Sequence, residues 1–210
     1  MRLYTYFRSS SAYRVRIALN LKGLAYEPVF VNLRSGEQRA PDYLELNPQG
    51  MVPMLIDDEI QIRQSLAILE YLEETHPEPA LLPREAPVRA KVRSLAQLIA
   101  CDIQPLNNSR VLRYLEITLK QHEEARMRWY RHWIMQGFDA AESLLDPAGQ
   151  FCHGDSPTFA DACLVPQVYN ALRYGVELNP YPKLVRAYET CMALPEFQSA
   201  APENQPDAKN

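Results

Sequence analysis

The sequence predicts an α/β amino-terminal domain followed by an all-α carboxy-terminal domain, on three observations. Strand and helix signals alternate as far as residue 76. Prolines at 77, 79, 83 and 87 then exclude regular helix, and helical periodicity dominates from residue 88 onward. The predicted boundaries are an α/β domain at residues 1–76, a linker at 77–87, a helical domain at 88–198 and a flexible polar tail at 199–210.

The amino-terminal domain has the element order strand, helix, strand, then strand, strand, helix. Residues 2–6 favour a strand, and Val15, Ala18 and Leu19 then share one apolar helical face. Residues 26–32 give the second strand, and a crossover of this kind predicts a parallel pair. The remaining predicted elements are a short helix at 40–46, a hairpin within 52–62 and a helix opened by Gln64 and Ser65, with Ser65 as its N-cap. This order is that of a thioredoxin-like domain.

The carboxy-terminal domain contains four apolar stripes with helical spacing. Thr158 and Asp161 resemble a capping box, with Asp in place of the usual Glu, so we assign both residues to folding. The stripes lie at Val88, Val92, Leu95 and Ile99; at Met127, Ile134, Phe138, Ala141 and Leu145; at Leu164, Val168 and Leu172; and within 184–193.

Composition excludes several classes of partner. The 210 residues carry a formal net charge of −4 with no basic stripe or tail, which argues against nucleic acid and acidic membranes. The four cysteines and four histidines show no CxxC and no spacing typical of metal ligands. We therefore expect reduced cysteines and no metal. Without an apolar signal segment or a run of membrane-spanning length, the expected location is the cytoplasm.

The junction between the first strand and the first helix is a candidate anion site. Arg8 precedes Ser9, Ser10 and Ser11 where the helix begins. The positive end of a helix dipole favours a thiolate, carboxylate or phosphate placed against it. An ordinary serine N-cap with solvated arginines is the alternative, and this stretch alone supports both interpretations about equally.

Four motifs, in this order, closely resemble those of zeta-class glutathione transferases. They are RSSSAYRVRIAL at 8–19, LNP at 46–48 with Val52-Pro53, QSLAI at 64–68 and LVPQ at 164–167. The resemblance covers nearly the whole chain, and the ordered set is far more specific than a serine-rich turn. It implies the glutathione transferase fold, glutathione as cofactor, and usually a homodimer.

The resemblance also implies a glutathione site. Ser9 would polarise the glutathione sulfur, with Ser10 beside it. The family usually carries cysteine in place of Ser11, so a direct thiol role is absent and dehalogenation is less expected. Val52 before Pro53 suits a cis-proline turn that presents its backbone to a peptide. The positions matched to glutathione-binding residues are Ser9, Ser10, Ser11, Gln38, Val52, Pro53, Gln64 and Ser65, with Gln104, Asn108, Ser109 and Arg110 in the helical domain.

The implied activity is isomerisation of maleylacetoacetate to fumarylacetoacetate in aromatic amino-acid catabolism. Glutathione thiolate would add to the double bond, permit rotation and leave. The substrates of the family are dianionic, so cations must face the sulfur. Arg8 adjoins Ser9, Arg173 matches a substrate-binding arginine of the family, and Arg110 is a third candidate. For each of the three, an exposed salt-bridging arginine is the alternative.

Other functions stay open at this point. A maleylpyruvate isomerase of gentisate-type degradation would use the same chemistry. Gln104 favours maleylacetoacetate, since a maleylpyruvate enzyme we compare it with has histidine there; the alternative is that Gln104 merely closes a helix turn. A general transferase would need an apolar electrophile pocket, and a non-enzymatic thioredoxin-like module would form no thiolate. A disulfide oxidoreductase would need a CxxC, and residues 9–12 hold none.

Overall fold

The computed structural model describes residues 1–209, which divide into two compact units. The first unit comprises Met1–Leu81 together with the chain from Met192 onward. The second unit comprises Leu82–Cys191. Among the described residues, no helix combines the length and apolar character that crossing a membrane requires.

The first unit is built on a four-stranded sheet of order β2-β1-β3-β4. Strand β1 (Arg2–Thr5) pairs parallel with β2 (Glu27–Phe30), as the crossover predicted. Strand β3 (Met54–Asp57) runs antiparallel to β1 and forms a hairpin with β4 (Ile60–Arg63). The mixed sheet with its helices confirms the thioredoxin-like prediction for this unit.

Three helices complete the predicted part of this unit: α1 (Ser10–Leu21), α2 (Pro41–Leu46) and α3 (Ser65–Thr75). Helix α1 is buried over residues 12–19, which is wider than its apolar stripe. The difference arises because Arg14 and Arg16 are buried with it. Each of them has a hydrogen-bond partner far away in sequence, Ser65 for Arg14 and Ala200 for Arg16.

The tail expected to be flexible at 199–210 is folded over its described residues. A helix, Pro195–Ala200, is followed by the 3₁₀ turns Pro202–Asn204 and Pro206–Lys209. The side-chain amide of Gln205 donates to the carbonyls of Ser199 at 2.8 Å and Ala201 at 3.0 Å. Prolines open each of these turns, where no backbone N–H is required. Residue 210 of the predicted tail lies outside the described residues.

The second unit is helical. Its first helix begins at Ala86, before the predicted linker ends at 87, because Pro87 is tolerated in a first helical turn. A π-helical segment, Leu98–Ile103, continues this helix, and a short helix at 109–117 was not predicted. The helices are α4 (Ala86–Gln97), α5 (Ser109–Ile117), α6 (Glu123–Leu144), α7 (Phe159–Arg173) and α8 (Pro182–Met192), and the carboxy-terminal Pro195–Ala200 is α9.

Helix α7 forms the buried centre of the second unit and starts with the predicted capping box. The Thr158 hydroxyl accepts a hydrogen bond from Ala160 N–H at 3.2 Å, and Asp161 accepts one from Thr158 N–H at 2.9 Å. Asp161 also accepts the Cys152 N–H at 2.8 Å. Burial raises the pKa of Asp161, while the hydrogen bonds from Cys152 and Thr158 act against that rise. These contacts fit a role in folding.

Candidate functional site

Helix α1 begins within the serine triplet. Ser9 is its N-cap, in an extended conformation, and its Oγ accepts a hydrogen bond from Ala12 N–H at 3.2 Å. Ser10 and Ser11 are the first helical residues. All three serines are partly exposed, so the positive end of the α1 dipole faces an accessible group of hydroxyls.

Two of these hydroxyls form a chain that ends on a backbone carbonyl. The Oγ atoms of Ser9 and Ser11 are 3.1 Å apart, and Ser11 Oγ donates to Val52 O at 3.1 Å. A serine hydroxyl has one hydrogen to donate. Because Ser11 directs its hydrogen to Val52, the hydrogen between the two serines belongs to Ser9. Ser9 thus donates to a neutral oxygen, and a charged acceptor would bind that hydrogen more strongly.

Arg8 places a cation beside the triplet. Its guanidinium carbon lies 5.9 Å from the centroid of the Phe7 ring, and its side chain is partly exposed. Burial raises the pKa of the Tyr6 hydroxyl, and the charges of Arg8 and Arg34 act against that rise. The junction between β1 and α1 therefore carries positive charge from a side chain as well as from the helix.

The loop before β3 contains the expected cis peptide bond between Val52 and Pro53. Two side chains that the sequence analysis gave no role fix this loop. Tyr43 Oη and Asn47 Nδ2 both donate to Met51 O, at 2.6 and 2.7 Å. The backbone next to Val52 is therefore held by two polar side chains.

Gln38 lies against the same loop. A Cβ added to Gly50 would come within 2.9 Å of Gln38 O, and Gly50 has a φ of +58°, so this close approach requires glycine. The Gln38 amide nitrogen donates to Leu33 O at 3.5 Å. Its Oε1 is buried and finds no donor among the described residues. Gln38 thus keeps an unused acceptor near the Val52 loop.

Helix α3 begins differently from the prediction. Ser65 was expected as the N-cap, but Gln64 occupies that position and Ser65 is the first helical residue. Gln64 has a φ of 71°, a conformation that costs about 1–3 kcal/mol in a residue other than glycine and is concentrated at functional sites. Its side-chain amide donates to Gln49 Oε1 at 2.8 Å.

Arg14 supplies a buried cation at the start of α3. Its Nη1 donates to Ser65 Oγ at 2.8 Å, and Arg14 is only 2% exposed. Its Nε is buried and finds no acceptor among the described residues. A buried charge is costly without compensation, so this helix start is suited to a carboxylate. Arg14 was not among the predicted site residues, although its place four residues before Ala18 was a signal that it lies on the buried face.

In the second unit, Gln104 follows the π-helical segment. Its backbone N–H donates to Ile99 O at 3.0 Å, which continues the wider turn. A Cβ at Gly137 of α6 would lie 2.2 Å from Ile103 Cδ1, so close contact with α6 fixes the residue before Gln104. Turns of π geometry within helices are frequent at functional sites.

Asn108, Ser109 and Arg110 form the start of α5. Asn108 is the N-cap, and its Oδ1 accepts a hydrogen bond from Arg110 N–H at 3.0 Å. Ser109 and Arg110 are exposed. This geometry gives Asn108 a local folding role in addition to any contact with a ligand.

Arg173 is the last residue of α7 and is exposed. Its guanidinium carbon lies 5.2 Å from the centroid of the Tyr174 ring, and the centroid of the Tyr130 ring lies 4.0 Å from that of Tyr174. Arg131 Nε donates to Tyr174 O at 2.7 Å. A second arginine that the sequence analysis missed therefore lies at the same tyrosine. The sequence held no local signal for the contact between Arg131 and Tyr174, because Arg131 lies on α6 and Tyr174 follows α7.

The predicted site residues form several local groups. Ser9, Ser11 and Val52 share one hydrogen-bond chain, and Gln38 adjoins the loop that leads to Val52 and Pro53. Gln64 and Ser65 start α3, while the remaining candidates occupy the π segment and helix ends of the second unit. In residues 1–209 there is no cluster of three His, Cys, Asp or Glu side chains placed to hold a metal ion.

Sequence models of two protein domains match the chain. The glutathione S-transferase N-terminal domain matches residues 1–74, and the glutathione S-transferase C-terminal domain matches residues 122–190. Among full-length relatives, a probable maleylacetoacetate isomerase of Vibrio cholerae is 50% identical over 209 residues, covering 98% of this chain and 97% of the relative.

Solved structures of related proteins superpose on nearly the whole chain. A bacterial maleylpyruvate isomerase, described as a zeta-class glutathione S-transferase in its holo form, superposes with a TM-score of 0.96 at 47% identity, covering 99% of both chains. A maleylacetoacetate isomerase of Methylobacterium extorquens, solved with malonate and glutathione bound, gives a TM-score of 0.95 at 42% identity and 98% coverage of both chains.

Proposed function

Because this chain belongs to the glutathione S-transferase family, we propose that it is a glutathione-dependent cis–trans isomerase that converts maleylacetoacetate to fumarylacetoacetate. The observation that carries the proposal is the partly exposed Ser9 hydroxyl at the positive end of α1, 3.1 Å from the Ser11 hydroxyl. Relatives that span nearly the whole chain bear this activity in their names.

The residues of the first unit fit glutathione. The buried guanidinium of Arg14 and the hydroxyl of Ser65 lie at the start of α3, where a peptide carboxylate would compensate the charge. The unused Oε1 of Gln38 and the backbone of Val52 suit the peptide groups of an extended ligand. We assign Gln64, Ser65, Gln38, Val52 and Pro53 to holding the tripeptide.

Ser9 stabilises the negative charge of the glutathione thiolate. Bound glutathione supplies the thiolate, which adds to the conjugated double bond and converts it to a single bond, with the negative charge moving to an enolate. Rotation about this single bond, followed by loss of the thiolate, restores the double bond in the trans geometry. Near neutral pH a thiol with a pKa of about 8.5 is mostly protonated, and a decrease of ~2 units requires about 2.7 kcal/mol of preferential thiolate stabilisation. The Ser9 hydrogen bond and the α1 dipole supply this stabilisation together. Ser10 adjoins Ser9 at the same helix start. The Ser11 hydroxyl lies within hydrogen-bond distance of the Ser9 hydroxyl.

Cations bind the substrate. Arg8, beside Ser9, attracts a dicarboxylate and the negative charge that develops on it during the reaction. Arg173, whose guanidinium is oriented on the Tyr174 ring, is assigned a substrate carboxylate, with Arg110 as a further cation. The homologous isomerase solved with malonate, a small dicarboxylate, supports this assignment.

The residues Gln104, Asn108, Ser109 and Arg110 keep their family-based assignment to the glutathione site. By the same resemblance, we propose that the protein works as a homodimer in the cytoplasm. The second candidate function is maleylpyruvate isomerisation, which the holo maleylpyruvate isomerase at 47% identity favours.

The choice between the two substrates gives a first testable prediction. We expect kcat/KM to be higher for maleylacetoacetate than for maleylpyruvate, because Gln104 offers a neutral amide. Gln104→His should move the ratio toward maleylpyruvate by roughly threefold to tenfold, because a protonated imidazole attracts most strongly the shorter dianion, whose two negative charges lie closer together. Gln97→His, at an exposed position of α4, serves as the matched control and should leave the ratio unchanged.

The measurement is kcat/KM for both compounds at saturating glutathione. A preference of the wild type for maleylpyruvate of about tenfold, which is ~1.4 kcal/mol of discrimination, would replace the substrate assignment by the second candidate. The cis–trans mechanism would stand in that case, since both substrates require it.

A further inference from the structure

The carboxy-terminal segment of the first unit reaches the junction that holds the serine triplet. Phe7 N–H donates to Asp207 Oδ2 at 2.9 Å, across 200 positions of the sequence. Asp207 lies in the last 3₁₀ turn, and the other oxygen of its carboxylate finds no donor among the described residues. A carboxylate is the strongest acceptor that a side chain can offer to a backbone N–H.

The carbonyl of Phe7 also accepts a hydrogen bond from a charged side chain. Arg16 Nη2 donates to Phe7 O at 3.1 Å, and Arg16 Nε donates to Ala200 O at 3.0 Å. Arg16 is fully buried, and burial lowers its pKa to about 10, so it remains a cation at neutral pH. Both polar backbone groups of Phe7 are thus bound by charged side chains.

Phe7 lies in the same turn as two proposed site residues, Arg8 and Ser9. The guanidinium of Arg8 lies over its ring, and Ser9 N–H donates to Tyr6 O at 3.0 Å in the tight turn that contains Phe7. A rotation of the Phe7 backbone would therefore move Arg8 and Ser9 together. Displacements of about 1 Å in a catalytic group can lower turnover by up to 10²-fold.

We propose that Asp207 is a positioning residue of the thiolate site, which holds the Phe7 backbone and thereby fixes Arg8 and Ser9. This inference rests on the proposed function for its kinetic consequence. It goes beyond that function in giving the carboxy-terminal segment a role at the catalytic junction. The charges of Arg8 and Arg34 lower the pKa of the neighbouring Tyr6 hydroxyl, and the charge of Asp207 raises it.

Three substitutions at Asp207 separate geometry from charge. Asp207→Asn keeps an acceptor oxygen at the same distance and removes the charge, whereas Asp207→Glu keeps the charge and shifts the oxygens by one methylene. Asp207→Ala removes both. We expect Asn to retain kcat within about threefold, and Glu and Ala each to lose about tenfold. Glu203→Ala, an exposed carboxylate of the same segment, is the matched control and should behave as wild type.

Two readouts accompany turnover. The apparent pKa of bound glutathione, from the thiolate absorbance, should rise in the Glu and Ala variants and stay near the wild-type value in Asn. Hydrogen exchange at the Phe7 amide should accelerate in Glu and Ala alone. An Asn variant as impaired as Glu or Ala, or fast Phe7 exchange with unchanged thiol pKa and kcat, would overturn the proposal.

Failure of the proposed function and failure of the Asp207 role give different results. If neither cis-dicarboxylate is turned over by the wild type, the function fails, while the thiol pKa and Phe7 exchange still test Asp207. If Asp207→Ala does not fold, the opposite predictions for Asn and Glu decide the matter without it. Equal retention of activity in Glu and Asn would also contradict the proposal.

Discussion

Replacing Ser9 by alanine is expected to lower kcat/KM for maleylacetoacetate by about 10²-fold at neutral pH, equivalent to ~2.7 kcal/mol of transition-state stabilisation. The substitution removes the hydroxyl whose hydrogen is available to a sulfur, and it also removes the N-cap of α1. The apparent pKa of bound glutathione should rise. Because the thiol ionises without help above its ordinary pKa of about 8.5, the loss should shrink as the pH is raised.

The matched substitution is Ser11→Ala. It removes the hydrogen bonds to Ser9 and Val52 but leaves the Ser9 hydroxyl and its cap in place. We expect a smaller effect on kcat/KM and little change in the thiol pKa. Ser9→Thr, which keeps both the hydroxyl and the cap, should recover most of the activity. Equal losses in Ser9→Ala and Ser11→Ala, or a loss only in Ser11→Ala, would assign the catalytic hydroxyl elsewhere.

Arg8→Met and Arg173→Met are each expected to lower turnover of a dicarboxylate by on the order of 10²-fold. Methionine retains much of the length and apolar surface of the arginine stem, so the main change is the loss of charge. The affinity for glutathione should change little, because neither residue is assigned to the tripeptide. Initial rates across both substrate concentrations, together with a glutathione binding titration, measure the two effects separately.

The control for charge is Arg128→Met. Arg128 is exposed and pairs with Glu124 at 2.6 Å on α6, a contact of the kind that contributes little at a protein surface. Its loss should leave both kinetic constants unchanged. Wild-type kinetics in both Arg8→Met and Arg173→Met would contradict a cationic substrate site and favour an apolar electrophile instead.

Local sequence patterns predicted most of the fold because their causes are local. The parallel pair β1 and β2, the hairpin and the capping box of α7 each follow from residues within one or two elements. The folded carboxy-terminal segment was missed for the opposite reason. Its alanines and prolines are uninformative alone, and its contacts go to Phe7 and Arg16 at the other end of the chain.

In the candidate site, too, features with a local cause were predicted and features that depend on distant contacts were missed. Ser9 and Ser65 stand at helix starts, which a sequence reveals, although the boundary at Ser65 was misplaced by one residue. Gln64 adopts a left-handed φ that local rules assign to glycine, so the pattern placed the cap one residue late. Arg14 and Arg131 were missed, because an arginine is normally solvated and its partner is identified only once distant elements are packed.

The most direct test of the central claim is the dependence of maleylacetoacetate turnover on the glutathione thiol. Formation of fumarylacetoacetate should be measured with the wild-type protein and glutathione, with S-methylglutathione, and with no added tripeptide. We predict turnover with glutathione alone, together with competitive inhibition by S-methylglutathione, which keeps the carboxylates but cannot form a thiolate. Turnover that persists without glutathione, or with S-methylglutathione in its place, would contradict the thiolate mechanism.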